Sequence, residues 1–263
     1  MQRTRKREST KFALISALSL FVFLFIWWFC TDVLRLIPSI ALPSPIAVFQ
    51  TFIVKLHDPA PEGATLIQHI VASLHVTGIG YSLGVLVGIP LGILMAWYKP
   101  VDMFVRPLFD LLRPIPGIAW IPLMIIMFGI GIFSRATVIF IAAFIACLIN
   151  AYSGVRQTKQ VHLWVGRTFG ATNLQLLLRV AIPTSLPMVL TGMRVALGAS
   201  WMSLVAAELL ASSRGLGFMI QQSRGIFRPD IIIAGMIAIG GIGTILTKML
   251  NVLEKVLLKG GRW

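Results

Sequence analysis

Apolar runs alternate with short basic, polar or proline-rich ones along this chain, and most apolar runs approach the length of a bilayer crossing. Six crossings are expected. The first, 12–29, follows a basic stretch (Arg3, Arg5, Lys6, Arg7, Lys11) and ends near the pair Trp27-Trp28. A signal peptide shares that basic-then-apolar order, but no small-x-small cleavage site follows and paired tryptophans suit a membrane interface. An uncleaved span with a cytoplasmic N-terminus is expected. Leu42-Pro-Ser-Pro45 then leads into a short amphipathic helix over 46–56, and the turn-rich residues 57–63 complete an external loop.

The second span, 66–97, carries Gly80, Gly84, Gly88 and Gly92 every four residues, followed by Ala96. One helix face is thereby stripped of side chains, which predicts close approach by another helix. Residues 98–113 read as a cytoplasmic or interfacial connection. The third span opens on Pro114, Pro116 and Pro122 and ends near Gly129-Ile-Gly131, so a broken or kinked helix is expected. The fourth span covers about 136–150 and the fifth 184–211. The fifth has small residues from Gly192 to Ala207 crowding one side and Glu208 near its outer end. An outer connection over 212–229 contains 215–220, apolar enough to dip into the membrane. The last span, 231–250, returns the tail with Lys255, Lys259 and Arg262 to the cytoplasm.

Composition fits that pattern. Of 263 residues 57% are hydrophobic and 12% charged, with mean hydropathy +0.88, too little charge to cover a soluble domain. The net charge of +14 is assigned to cytoplasmic loops facing anionic lipid rather than to nucleic acid. Arg214, Arg224 and Arg228 on the outer connection run against the charge rule, and the larger basic clusters set the orientation. Cys30 and Cys147 lie in apolar runs, which argues against a disulfide. His69 and His75, six residues apart, are not spaced for a shared metal.

Between the fourth and fifth spans, 166–183 mixes basic, polar and helix-forming apolar residues. Gly170 marks a corner, Ala171-Thr172-Asn173 a capped break, and 174–180 a short helix that Pro183 should stop. An ordinary interfacial loop would satisfy the same pattern. The spacing nevertheless resembles the coupling motif of ABC-importer permeases: Glu-Ala-Ala, three residues, Gly, nine residues, Ile-x-Leu-Pro. Gly170 and Val180-Ala181-Ile182-Pro183 stand at the family positions, while Trp164-Val165-Gly166 replaces Glu-Ala-Ala. Leu42-Pro-Ser-Pro45, Arg113 to Leu123, and Trp201 to Leu210 with Gly215 to Ile220 resemble the taurine, sulphonate and nitrate branch.

The resemblance implies an all-α, type I importer permease fold, a single transmembrane domain over 1–263 with a cytoplasmic coupling segment at 160–183. It implies a bacterial inner-membrane protein, with both termini cytoplasmic, that conducts a small anionic solute such as taurine, another sulphonate or nitrate. Its expected partners are two ATP-binding-cassette ATPases, a second permease subunit forming a homodimer, an external binding protein and membrane lipid. The chain has no Gly-x-x-x-x-Gly-Lys-Ser/Thr loop, so ATP and Mg belong to the ATPase and the chain is not an enzyme. No cofactor or metal of its own is expected. Coupling is expected from Arg167, Phe169, Gly170, Ala171, Thr172, Asn173, Leu174, Leu177 and Pro183, with apolar burial replacing the missing glutamate's contact. Arg113, Trp120, Ser200, Trp201, Ser203 and Glu208 are the expected pathway residues. For Glu208 the competing expectation is a carboxylate paired with arginine or capped by backbone. An ion-coupled transporter or channel is the alternative class, although no clear inverted repeat is visible.

Overall fold

The computed structural model describes the backbone of residues 2–259 and the side chains of residues 14–256. The basic residues at 3–11, 259 and 262 therefore lie outside the described side chains. All regular structure among the described residues is helical. Among the described residues five helices are long and apolar enough to cross a membrane, and a bent pair makes a sixth if counted as one span.

Two compact units are present. One runs to Ile67 and takes in Met219–Ile237; the other comprises Gln68–Phe218 and the chain from Ala238. In the first unit, α1 (Gln2–Trp28) continues into a π-helical turn at Phe29–Val33, and the Trp27 indole donates to the Pro43 carbonyl at 3.1 Å. Helix α2 (Pro45–Val54) starts where expected. The Ser44 hydroxyl accepts from Ala47 N–H, and Pro45 occupies the first turn, where its missing N–H costs nothing. Lys55, 2% exposed, pairs with Glu62 and donates to the Ala60 carbonyl at 2.9 Å, while Ser223 donates to the other Glu62 oxygen at 2.8 Å. Nearby Arg228 donates twice to Asp230, which holds its guanidinium above the ordinary value. The buried Lys55 charge is thus neutralised locally.

The second unit contains α3 (Leu66–Trp97, from Gln68), α4 (Lys99–Leu112), a 3₁₀ turn at Gly117–Trp120, α5 (Ile121–Phe128), α6 (Ile132–Arg156), α7 (Gln160–Thr168), α8 (Asn173–Leu176) and α9 (Ile182–Ala211). Helices α10 (Leu216–Gly225) and α11 (Pro229–Lys259) follow. α6 is its centre. The glycine ladder of α3 lies directly on it: a Cβ built at Gly80 would sit 2.6 Å from the Ala136 carbonyl, and at Gly92 2.6 Å from the Leu148 carbonyl. Those separations leave room for hydrogen only. On its other side α6 meets α9, where a Cβ on Gly192 would lie 2.5 Å from Asn150 Cβ and one on Gly154 2.9 Å from Met188 Cβ. Ala143, Cys147 and Ala196 are fully buried in a cluster that α3 completes with Tyr81, Val85 and Ile89.

Three expectations change. Residues 98–113 form the helix α4 rather than a plain connection, because Lys99, Asp102, Arg106 and Asp110 share its polar side and Phe109 packs inward. The apolar stretch after it, 117–128, extends only about 18 Å at 1.5 Å per residue, short of the ~30 Å hydrocarbon. It bends 85° from α4 at the Pro114/Pro116 break, so the two helices together make the interrupted element. Pro183 does not stop a helix. Leu177–Ala181 widens into a π turn, with Ile182 N–H reaching the Leu177 carbonyl, and the chain continues into α9. The wider turn displaces the carbonyl with which the proline ring would collide. Finally, α6 and α11 extend several residues beyond the 136–150 and 231–250 expected for them.

Candidate coupling segment and buried polar cluster

The segment between α6 and α9 is built by two complementary caps. At the end of α7, Gly170 has φ +75°, its N–H bonds to the Arg167 carbonyl, and Ala171 N–H bonds to the Gly166 carbonyl at 3.0 Å. This pair of bonds closes a helix C-terminus on a left-handed glycine. Two residues later a capping box opens α8. Thr172 Oγ1 accepts from Gln175 N–H at 3.3 Å, and the Gln175 side chain accepts from Thr172 N–H at 2.9 Å. The corner is therefore rigid, although short.

Its two faces differ. Leu176, Leu177 and Ala181 are buried, and Val155 and Ala181 join Leu177 in one cluster beneath the ends of α3 and α6. Thr158 and Thr184 hydroxyls meet at 2.9 Å beside it. Outward lie Phe169 (86% exposed), Trp164, Leu174 and Leu178, together with Arg167, Thr172 and Asn173. Ala171 and Pro183 are half-buried. Leu177, expected among the docking residues, instead anchors the segment to its own chain. Leu178, four residues after Leu174, shares its outward face.

Glu208, 1% exposed, is the centre of a second constellation. Ser73 Oγ donates to its carboxylate at 2.7 Å and itself accepts Leu216 N–H at 3.0 Å. Gly217 N–H donates to the other carboxylate oxygen at 2.9 Å, and Gly215 N–H donates to His69 Nδ1 at 3.1 Å. Three successive backbone donors at the start of α10 are thus satisfied by α3 and α9 side chains. The negative charge sits where a helix N-terminus favours it. Arg135 approaches Glu208 at 3.9 Å while donating to the Gly131 carbonyl at 3.0 Å and to Ser212 Oγ at 2.8 Å. The capped-carboxylate expectation describes this geometry. Gly215 also leaves no space: a Cβ there would overlap the Glu208 carboxylate.

The other expected pathway residues scatter. Arg113 is exposed, and Trp120 packs against Ile121, Met124, Val138 and Ala207. Ser200 is fully buried, and its hydroxyl has no hydrogen-bond partner among the described residues. Trp201 donates to the Ile239 carbonyl at 3.2 Å, and half-buried Ser203 faces Gly117. Ser73 and Arg135 were not legible as partners of Glu208, nor His69 as the acceptor for Gly215, since more than 70 residues separate the members of each pair. The T-x-x-Q spacing at Thr172 was a visible signal.

The family model for the binding-protein-dependent transport system inner membrane component matches residues 88–260. The chain belongs to this family. It is 38% identical over 237 residues to the taurine transport system permease protein TauC of Escherichia coli (strain K12), covering 90% of this chain and 86% of that one. It is 32% identical over 226 residues to the bicarbonate transport system permease protein CmpB of Synechococcus elongatus, covering 83% and 81%. A structure of the MetNI methionine ABC transporter in inward-facing conformations shares the fold, with TM-score 0.62 and 16% identity over 74% of this chain and 95% of that one. This permease is accordingly a multi-pass inner-membrane transport subunit of an ABC importer, not an enzyme. Its family operates with a partner ATPase and a substrate-binding protein. Membership in it sets aside the ion-coupled transporter or channel.

Proposed function

We propose that this permease conducts a small anionic solute, taurine or another sulphonate or a similarly small oxyanion, delivered by an external binding protein. Residues 160–183 form the cytoplasmic docking element for an ATPase that carries ATP and Mg. Two copies of the chain pair with two ATPases, and both termini lie in the cytoplasm. The solute class is supported by the relatives' names, which cover taurine and bicarbonate. The observation that carries the docking role is the outward apolar set, Trp164, Phe169, Leu174 and Leu178, fixed around a left-handed glycine corner and anchored from below by Leu176 and Leu177. Arg167 adds a charge beside that surface, where the family glutamate is absent. Arg113, Trp120, Ser200, Trp201, Ser203 and Glu208 are assigned to the pathway and its support, with Glu208 supporting rather than contacting solute.

Gly170→Val tests the docking element. A Cβ at Gly170 meets nothing within 4 Å in this chain, so only its φ and a partner's surface can oppose it. The left-handed conformation costs an L-residue about 1–2 kcal/mol, and a β-branched one more. The variant should insert normally, since no span is changed. In reconstituted transporter it should lose uptake, with the ATPase detached or no longer stimulated by loaded binding protein. Wild-type uptake together with wild-type stimulation would remove the docking role.

A further inference from the structure

Among the described residues, six have left-handed backbone angles. Four are glycines; the others are Arg35, with φ +48°, and Phe227, with φ +55°. A bulky side chain is an outlier there, because its Cβ crowds the backbone. Phe227 closes α10. Its N–H reaches the Arg224 carbonyl at 3.3 Å, and Arg228 N–H reaches the Ser223 carbonyl at 2.9 Å. Helices that end on this pair of bonds usually carry glycine at the position Phe227 holds. The phenylalanine buries little in return. Its ring is 73% exposed, and Ile226 beside it is 49% exposed. The apolar contact that often accompanies such a turn is missing too, since the positions that would make it are Ser223 and Arg228.

The turn is nevertheless held on both sides. Buried Ser223 donates to Glu62 at 2.8 Å. Arg228 donates twice to Asp230, at 2.9 and 2.7 Å, and Asp230 accepts from Thr51 of α2 at 2.8 Å. Arg228 also lines a cavity of about 450 Å³ with Gln50, Thr51, Lys55 and Asp58. A projecting apolar pair thus stands on a fixed base next to a polar recess. Exposed Arg224 and Arg228 flank it on the outer connection, where the charge rule does not account for basic residues. A rigid aromatic anchor beside arginine is the composition of an interface hot spot. The charges fit an acidic partner surface.

We infer that Ile226 and Phe227 are a docking knob for the external binding protein, whose contacting surface offers an apolar recess bordered by carboxylates. The family operates with such a partner. The inference rests on the orientation proposed above, and Phe227→Cys separates the two. In a background without Cys30 and Cys147, this thiol should react with a membrane-impermeant maleimide in sealed cells. In the purified complex, binding protein carrying its solute should slow the reaction. Reaction only after the cells are opened would overturn the orientation, and the inference with it. A thiol reactive in sealed cells that binding protein does not protect would overturn the docking inference alone. One that reacts in neither preparation is covered by lipid or by the second permease copy, which overturns it as well.

Phe227→Gly removes the ring and suits the backbone at once. It should be at least as stable to thermal unfolding as wild type and keep basal ATP hydrolysis in the complex with the ATPase. Half-maximal stimulation should need on the order of tenfold more loaded binding protein, with the maximum unchanged, whereas Phe227→Tyr should stay near wild type. Arg224→Glu should also need more binding protein, by a factor that shrinks as salt is added. An unchanged half-stimulating concentration in Phe227→Gly or in Arg224→Glu would overturn the inference. So would Phe227→Tyr as impaired as Phe227→Gly. A less stable Phe227→Gly would mean that the ring packs within the permease or in lipid, and would overturn it too.

Discussion

Glu208 shows at the scale of single residues what the sequence could and could not convey. A carboxylate in an apolar helix was conspicuous, and two explanations competed for it: solute contact, or capture by local donors. The structure has Ser73, Gly217 and Arg135 around it, contributed by three separate parts of the chain. No local pattern encodes such a meeting. Removing the carboxylate leaves a buried guanidinium and two hydrogen-bond donors unmatched, so Glu208→Ala should destabilise the permease by about 3–5 kcal/mol. Glu208→Gln keeps one acceptor oxygen and should cost about 1–3 kcal/mol. Thermal unfolding of the purified permease, followed by exposure of buried Cys147, measures both. Equal stability of Glu208→Ala and wild type would make the hydrogen-bonded cluster incidental to the fold.

At the scale of elements, periodicity carried the most information. The four-residue glycine spacing in α3 specified a close helix contact, and α6 is the helix that makes it. At Gly84 a Cβ would overlap that of Ala143 and lie 2.9 Å from the Phe144 N–H. Gly84→Leu must therefore push two backbones apart, and overpacking of this kind costs about 1–3 kcal/mol or more. It should reduce the yield of assembled transporter, read as the fraction of permease that co-purifies with ATPase, whereas Gly78→Leu, with nothing within 4 Å, should not. Equal yields would mean that the ladder is tolerated rather than required. Where the period itself shifts, the sequence misleads. The π turn at Leu177–Ala181 carries the helix past Pro183, and Leu177 is buried where Leu178 is exposed. Widened turns have no simple residue signature, so the continuation past Pro183 was not expected.

For the whole molecule the decisive element is the bent pair, α4 with residues 117–128. The prolines announced an interruption, but composition cannot say whether the chain emerges on the far side of the membrane or returns. Counting spans turns this into a measurement. Between Asp58 and Gln160 lie α3, the bent pair and α6; between Gln160 and Ser213 lies only the helix ending in α9. If the bent pair crosses, Asp58 and Ser213 face the same side and Gln160 the other. If it returns, Asp58 and Gln160 share a side and Ser213 faces away. All three side chains are exposed or nearly so, and none takes part in the caps or the Glu208 cluster. Single cysteines there, in a background without Cys30 and Cys147, would be probed with a membrane-impermeant maleimide in sealed and in opened cells. Asp58→Cys and Ser213→Cys should react in sealed cells, and Gln160→Cys only after opening. Basic Arg156, Lys159, Arg167 and Arg179 around Gln160 favour that side as cytoplasmic. Labelling of Gln160→Cys in sealed cells, with Asp58→Cys and Ser213→Cys both protected, would reverse the orientation and contradict the docking proposal. Protection of Ser213→Cys, with Asp58→Cys reactive, would make the bent pair a re-entrant loop and leave five crossings.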